Sequence, residues 1–97
     1  MPKGYWVAQV DVTDPVAYEE YRQANAAPFA RHGARFLVRG GAATVAEGQA
    51  RARIVVLEFP TIEAAHACWD DPDYQAARAL RRDAGLADVV IVEGCDG

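Results

Sequence analysis

Arg35-Phe36-Leu37-Val38-Arg39-Gly40-Gly41 is the stretch on which the fold is read. It predicts a short strand running into a glycine break. Strand side chains alternate faces, so Phe36 and Val38 point to one side and Arg35, Leu37 and Arg39 to the other. One arginine on a strand is ordinary. Two on one face of a central-looking strand are harder to place: either that face is wet or its charges meet partners across an interface. The expectation is that they line a polar cleft in a dimer.

Upstream, residues 5–12 form the first strand, with Trp6, Ala8, Val10 and Val12 on a wholly apolar face. Asp14-Pro15 then opens a helix, the aspartate as cap and the proline at the first helical position. Tyr18, Tyr21, Asn25, Phe29 and His32 follow at three- and four-residue steps. Pro28 should kink or divide this helix, and Gly33 should stop it.

Downstream, Thr44, Val45 and Ala46 are read as a continuation of the strand, and Glu47-Gly48-Gln49 as a hairpin turn. Residues 53–59 are a third strand, whose continuous apolar run suggests burial on both faces. Thr61 caps a helix from Ile62 to Asp70. Asp71-Pro72 ends it and starts another that reaches about Ala84 and closes at Gly85. Residues 87–93 are the last strand.

The order is strand, helix, strand, strand, helix, strand. It predicts an α+β, ferredoxin-like βαββαβ fold: one domain over residues 1–97, with a four-stranded antiparallel sheet and helices on one face. Parity assigns Trp6, Ala8, Val10, Phe36, Val38, Val55, Leu57, Phe59, Val90 and Val92 to the face under the helices. The opposite face would carry Val7, Gln9, Asp11, Arg35, Leu37, Arg39, Ile54, Val56, Glu58, Val89, Ile91 and Glu93. That mixture is too apolar to leave in water and too charged for a dry core. A second copy stacked on it solves both problems. A homodimer is therefore expected, with Gln9, Arg35, Leu37, Glu58 and Ile91 in its interface.

The chain resembles the family called domain of unknown function 1330, of the dimeric α/β barrel superfamily. The resemblance rests on Lys3-Gly4-Tyr5-Trp6, residues 11–15 and 35–41, Glu58-Phe59-Pro60, and residues 69–75 followed by Arg78 and Arg81. It implies the ferredoxin-like dimer and brings no established reaction or catalytic residue. Relatives across the superfamily include cofactor-independent monooxygenases, lactone isomerases and haem-handling proteins, but a shared fold does not transfer their functions.

Composition narrows the function. A net charge of −4 over 97 residues argues against nucleic acid as a partner. No stretch approaches the ~20 apolar residues of a membrane span, and no apolar signal segment opens the chain, so a soluble, cytoplasmic protein is expected. Cys68 and Cys95 form no CxxC, and His32 and His66 have no metal-ligand spacing, so neither a metal nor a cofactor is implied. Cys68, among alanines, reads as a small core residue.

Arg39 is the first candidate for ligand contact and for catalysis, because a guanidinium suits a carboxylate or enolate oxygen. Its alternative is a salt bridge to Glu58 or to an acid across the dimer. His32 is a candidate general base, or a cation at a helix end. Tyr18, Tyr21, Asn25, Trp69 and Tyr74 can rim a pocket between helices and sheet, or pack as plain core. Two functions stay open: a protein that binds a small anionic or aromatic metabolite, with possible cofactor-independent proton-transfer or oxygenase-type chemistry, and a non-enzymatic dimeric module.

Overall fold

A computed structural model describes residues 2–95. Strand β1 (Gly4–Val12) leads into α1 (Pro15–Ala24), capped by Asp14, whose carboxylate accepts a hydrogen bond from the Ala17 amide at 3.2 Å. Pro28 has no N–H to donate to the Ala24 carbonyl one turn back, and α1 ends at Ala24. A short α2 (Ala26–Arg31) follows, then β2 (Arg35–Arg39) and β3 (Arg53–Phe59). Helix α3 (Ile62–Asp70) starts at Thr61, whose hydroxyl accepts from the Ala64 amide at 3.0 Å. Asp71 ends α3 and caps α4 (Pro72–Leu80), accepting from the Asp73 amide at 2.8 Å. Strand β4 (Gly85–Glu93) closes the order.

The sheet is antiparallel in the order β2-β3-β1-β4, with both central strands supplied by the two halves of the motif. This is the ferredoxin-like arrangement. Trp6 sits at the centre of the layer between sheet and helices. Its ring centre lies 4.9 Å from that of Tyr74, 5.3 Å from Phe59, 5.4 Å from Phe29 and 5.6 Å from Trp69. Its indole N–H donates to the Ala65 carbonyl at 2.9 Å, so the buried polar atom is satisfied. Cys68 is fully buried, and burial pushes its thiol up to about 12.

The structure corrects the face assignment in two strands. In β2, Arg35 lies opposite Glu58 and Phe36 opposite Leu57, but Val38 lies opposite Val56 and Arg39 opposite Val55. Leu37 is the extra residue of a β-bulge, and every side chain after it changes face. Arg35 and Val38 therefore share the outer face, while Phe36 and Arg39 look toward the helices. In β4, Ile91 pairs with Trp6 and Val89 with Ala8, so these two lie under the helices. Val90 and Val92 point outward, and Ile91 does not belong to the outer face where the dimer interface was expected. Residues 89–92 are all apolar, so their composition carries no parity signal; the pairing with β1 sets it.

Four smaller differences stand. Residues 44–46 form no strand, and the whole exposed connection 40–52 is irregular. Helix α4 stops at Leu80, where Arg81 takes the cap, and beyond it the carbonyl of Ala84 accepts from the Thr13 and Asp14 amides. Strand β4 begins two residues early, at Gly85, where a Cβ would run into the Asp11 carbonyl of the paired strand. Strand β3 is not buried on both faces; Ile54, Val56 and Glu58 alternate with the buried Val55, Leu57 and Phe59.

Candidate functional site

The bulge at Leu37 puts Arg39 on the same side of the sheet as the helices. The next row of that face holds Arg53, opposite Val10 on β1. Its guanidinium lies so close to Gly40 that a Cβ there would collide with it. Across the layer, α1 offers Tyr18, Tyr21 and Arg22, the α1–α2 junction offers Asn25, and α4 offers Tyr74 with Arg81 at its end. These side chains, with Phe29 and Phe36, line one cleft between sheet and helices.

Each cation on this wall but one rides on an aromatic ring. The Arg39 guanidinium carbon is 4.0 Å from the centre of Phe36, Arg53 is 5.6 Å from Tyr18 and Arg81 is 5.0 Å from Tyr21. Arg22 instead donates to Glu19 at 3.0 Å. Among the described residues, Arg39, Arg53 and Arg81 make no ion pair, and no carboxylate lines the cleft. The salt bridge anticipated for Arg39 with Glu58 is made by Arg35 instead, at 3.5 Å.

Among the described residues, three buried side-chain polar atoms lack a hydrogen-bond partner: Oδ1 of Asn25, Nε of Arg22 and Nε of Arg53. All three residues line the cleft. Asn25 is only 4% exposed, so its orphaned oxygen is costly unless something in the cleft meets it. The hydroxyls of Tyr21 and Tyr74 are 3.0 Å apart. Burial, reinforced by Tyr21, pushes the Tyr74 phenol well above its usual range, so it stays neutral. With these rotamers the cavity holds about 40 Å³, room for a few waters. A larger guest requires the long side chains of Arg39 and Arg53 at its mouth to move.

Two of the residues expected at the site lie elsewhere. His32 faces away from the cleft, its Nε2 donating to Oδ2 of Asp71 at 2.8 Å. Asp71 also accepts from Arg31 at 2.6 Å. The His32 bond, the Asp73 amide and Arg31 together outweigh burial and hold the Asp71 carboxyl down at about 2. Trp69 packs against Trp6 and carries Arg78 on its ring at 5.0 Å, outside the cleft. Tyr18, Tyr21, Asn25, Arg39 and Tyr74 come together. Arg22, Arg53 and Arg81 were not anticipated, although two signals pointed to them. Arg53 shares parity with Val55, Leu57 and Phe59, and Arg81 is two helical turns beyond Tyr74. Among the described residues no group of three metal-ligating side chains occurs, and no helix is long and apolar enough to cross a membrane.

The outer face carries the remaining unusual pattern. Val38, Val56, Val7 and Val90 form one row straight across the four strands. Val7 is 37% exposed, Val38 39% and Val90 57%. On one side of the row, Glu58 accepts from the Tyr5 hydroxyl at 2.9 Å and pairs with Lys3 and Arg35. On the other, Arg51 bridges Asp11 at 2.9 Å and Asp88 at 2.7 Å, and its amide donates to Gln9.

Comparison with known proteins places this geometry. A protein of unknown function from Rhodopseudomonas palustris superposes with a TM-score of 0.75 at 17% identity, covering 99% of this chain and 85% of that one. SnoaB, a cofactor-independent oxygenase from Streptomyces nogalater, gives 0.64 at 15% identity, covering 100% and 97%. A protein assigned as an antibiotic biosynthesis monooxygenase from Caulobacter crescentus gives 0.62 at 17% identity, covering 98% and 92%. At these identities the likeness is one of fold. No curated protein sequence matches the chain. Residues 3–95 match the family described as domain of unknown function 1330, and the chain belongs to that family.

Proposed function

We propose that the protein binds a small, flat, anionic metabolite in the cleft between sheet and helices. The observation that carries this reading is a cleft lined by Arg39, Arg53 and Arg81 with no carboxylate to balance them, while Asn25 keeps an unmet buried oxygen. Arg53 and Arg81 are half-buried, where unpaired charge is expensive, and Arg39 stands exposed beside them; an anionic guest removes the cost. Aromatic rings on both walls suit a planar body.

Among the described residues no imidazole or carboxylate lines the cleft, and Tyr74 is held neutral, so the arrangement favours holding an anion over abstracting a proton. The chemistry it supports is stabilisation of an enolate or phenolate that has given its proton to solvent; an oxygenase-type reaction of that anion would take dioxygen as its oxidant. His32, the candidate base, would serve instead as a structural partner of Asp71. The fold shared with a cofactor-independent oxygenase is compatible with this chemistry.

The test is a thermal-shift and calorimetric screen of aromatic carboxylates, phenols and enols. Arg39→Ala should weaken any hit about tenfold or more while the protein stays folded, since a charge-assisted hydrogen bond is worth about 1.5–3 kcal/mol. A panel with no saturable binder refutes the reading.

A second reading is favoured by the small cavity and by the valine row: a dimeric module without a ligand, its two sheets stacked through the outer face. Homodimerisation is compatible with both readings. The interface would hold Gln9, Arg35, Leu37 and Glu58 around the valines, with the ion pairs at its rim.

A further inference from the structure

We infer that the guest of this cleft carries two acidic groups, one for each wall. The inference rests on the anion-binding reading and deepens it. The unpaired arginines reach the cleft from two sides. Arg39 and Arg53 come from the sheet, at the mouth beside Gly40. Arg81 comes from the end of α4 and lies over Tyr21, against the Tyr21–Tyr74 hydroxyl pair. Tyr18, under Arg53, and Tyr21, under Arg81, are one turn apart on α1, with ring centres 5.5 Å apart. The two cationic poles therefore flank an aromatic floor.

A single carboxylate placed between Arg39 and Arg53 leaves Arg81 unbalanced against buried rings. One placed at Arg81 leaves two cations unmet at the mouth. A planar dianion with an acidic group at each end neutralises both poles and sets its body among the aromatic side chains of the cleft. Arg22 is the weaker claimant, because its charge is already shared with Glu19. The substrate class is thus an aromatic or enolic compound with two acidic groups, such as a dicarboxylate or a carboxylate paired with an ionised enol.

The experiment is calorimetry at low ionic strength with benzamide, benzoate and benzene-1,3-dicarboxylate. Wild type should bind the dicarboxylate at least about tenfold tighter than benzoate, and benzamide not measurably. Arg81→Gln should reduce the dicarboxylate preference to within about threefold, because it weakens the dicarboxylate more than benzoate; Arg81→Lys should keep the preference. Arg78→Gln, outside the cleft, should change neither. Benzoate binding as tightly as the dicarboxylate, or a preference that survives Arg81→Gln, overturns the two-pole inference and spares the anion-binding reading. Binding of neither acid overturns both.

Discussion

Single side chains here carry separate duties. Trp6 joins the sheet to three helices through its ring contacts and its bond to Ala65. Trp6→Ala should cost about 3–5 kcal/mol, read by urea unfolding, which is a large part of the stability of a domain this size. Asp71 is the acid-sensitive point. Its folded value, about 2, lies below the ordinary 3.8, so its contribution is present above about pH 4 and is lost as pH falls toward 2. Wild type should therefore unfold at higher urea than Asp71→Asn at pH 5, and the gap should shrink to a small fraction by pH 2. A gap that persists undiminished at pH 2 would show that the carboxylate charge is not its source.

At the level of elements, one inserted residue decides which surface receives Arg39. Without the Leu37 bulge, regular pairing from Phe36 and Leu57 would put Arg39 opposite Ile54, outside. Deleting Leu37 should close the ladder with Val38 still opposite Val56 and Arg39 still opposite Val55. That variant should stay folded and keep its anion affinity within about threefold, measured by calorimetry, because the pairs that aim Arg39 are preserved. The helix boundaries were legible because each rests on local chemistry: Asp14-Pro15, Thr61 and Asp71-Pro72 are caps whose hydrogen bonds span three residues or fewer. The end of α4 was not: the helix gives way at Arg81, and the Ala84 carbonyl beyond it holds the chain at Thr13, far back in sequence.

For the molecule as a whole, the consequence is a slab. Its extents are 38 × 35 × 16 Å, and helices cover one face of the sheet only. The valine row runs across the other face between two charged margins. If that face pairs with a second copy, Val7→Asp should place like charges across the two-fold and shift sedimentation from dimer to monomer at micromolar concentration, without loss of the far-ultraviolet circular dichroism of the fold. A wild-type protein that sediments as a monomer would remove the interface.

The chain's own alphabet determined the element order, the helix caps, the apolar face of β1 and the ferredoxin-like class, because these follow from neighbours a few residues apart and from period-two and period-3.6 patterns. Tertiary structure alone decided which way Arg39, Val90 and Ile91 face, and that Arg53 and Arg81 join the tyrosines in one cleft. Facing depends on strand register, and register is set by pairing between distant segments: a one-residue bulge reverses it without leaving a mark in composition.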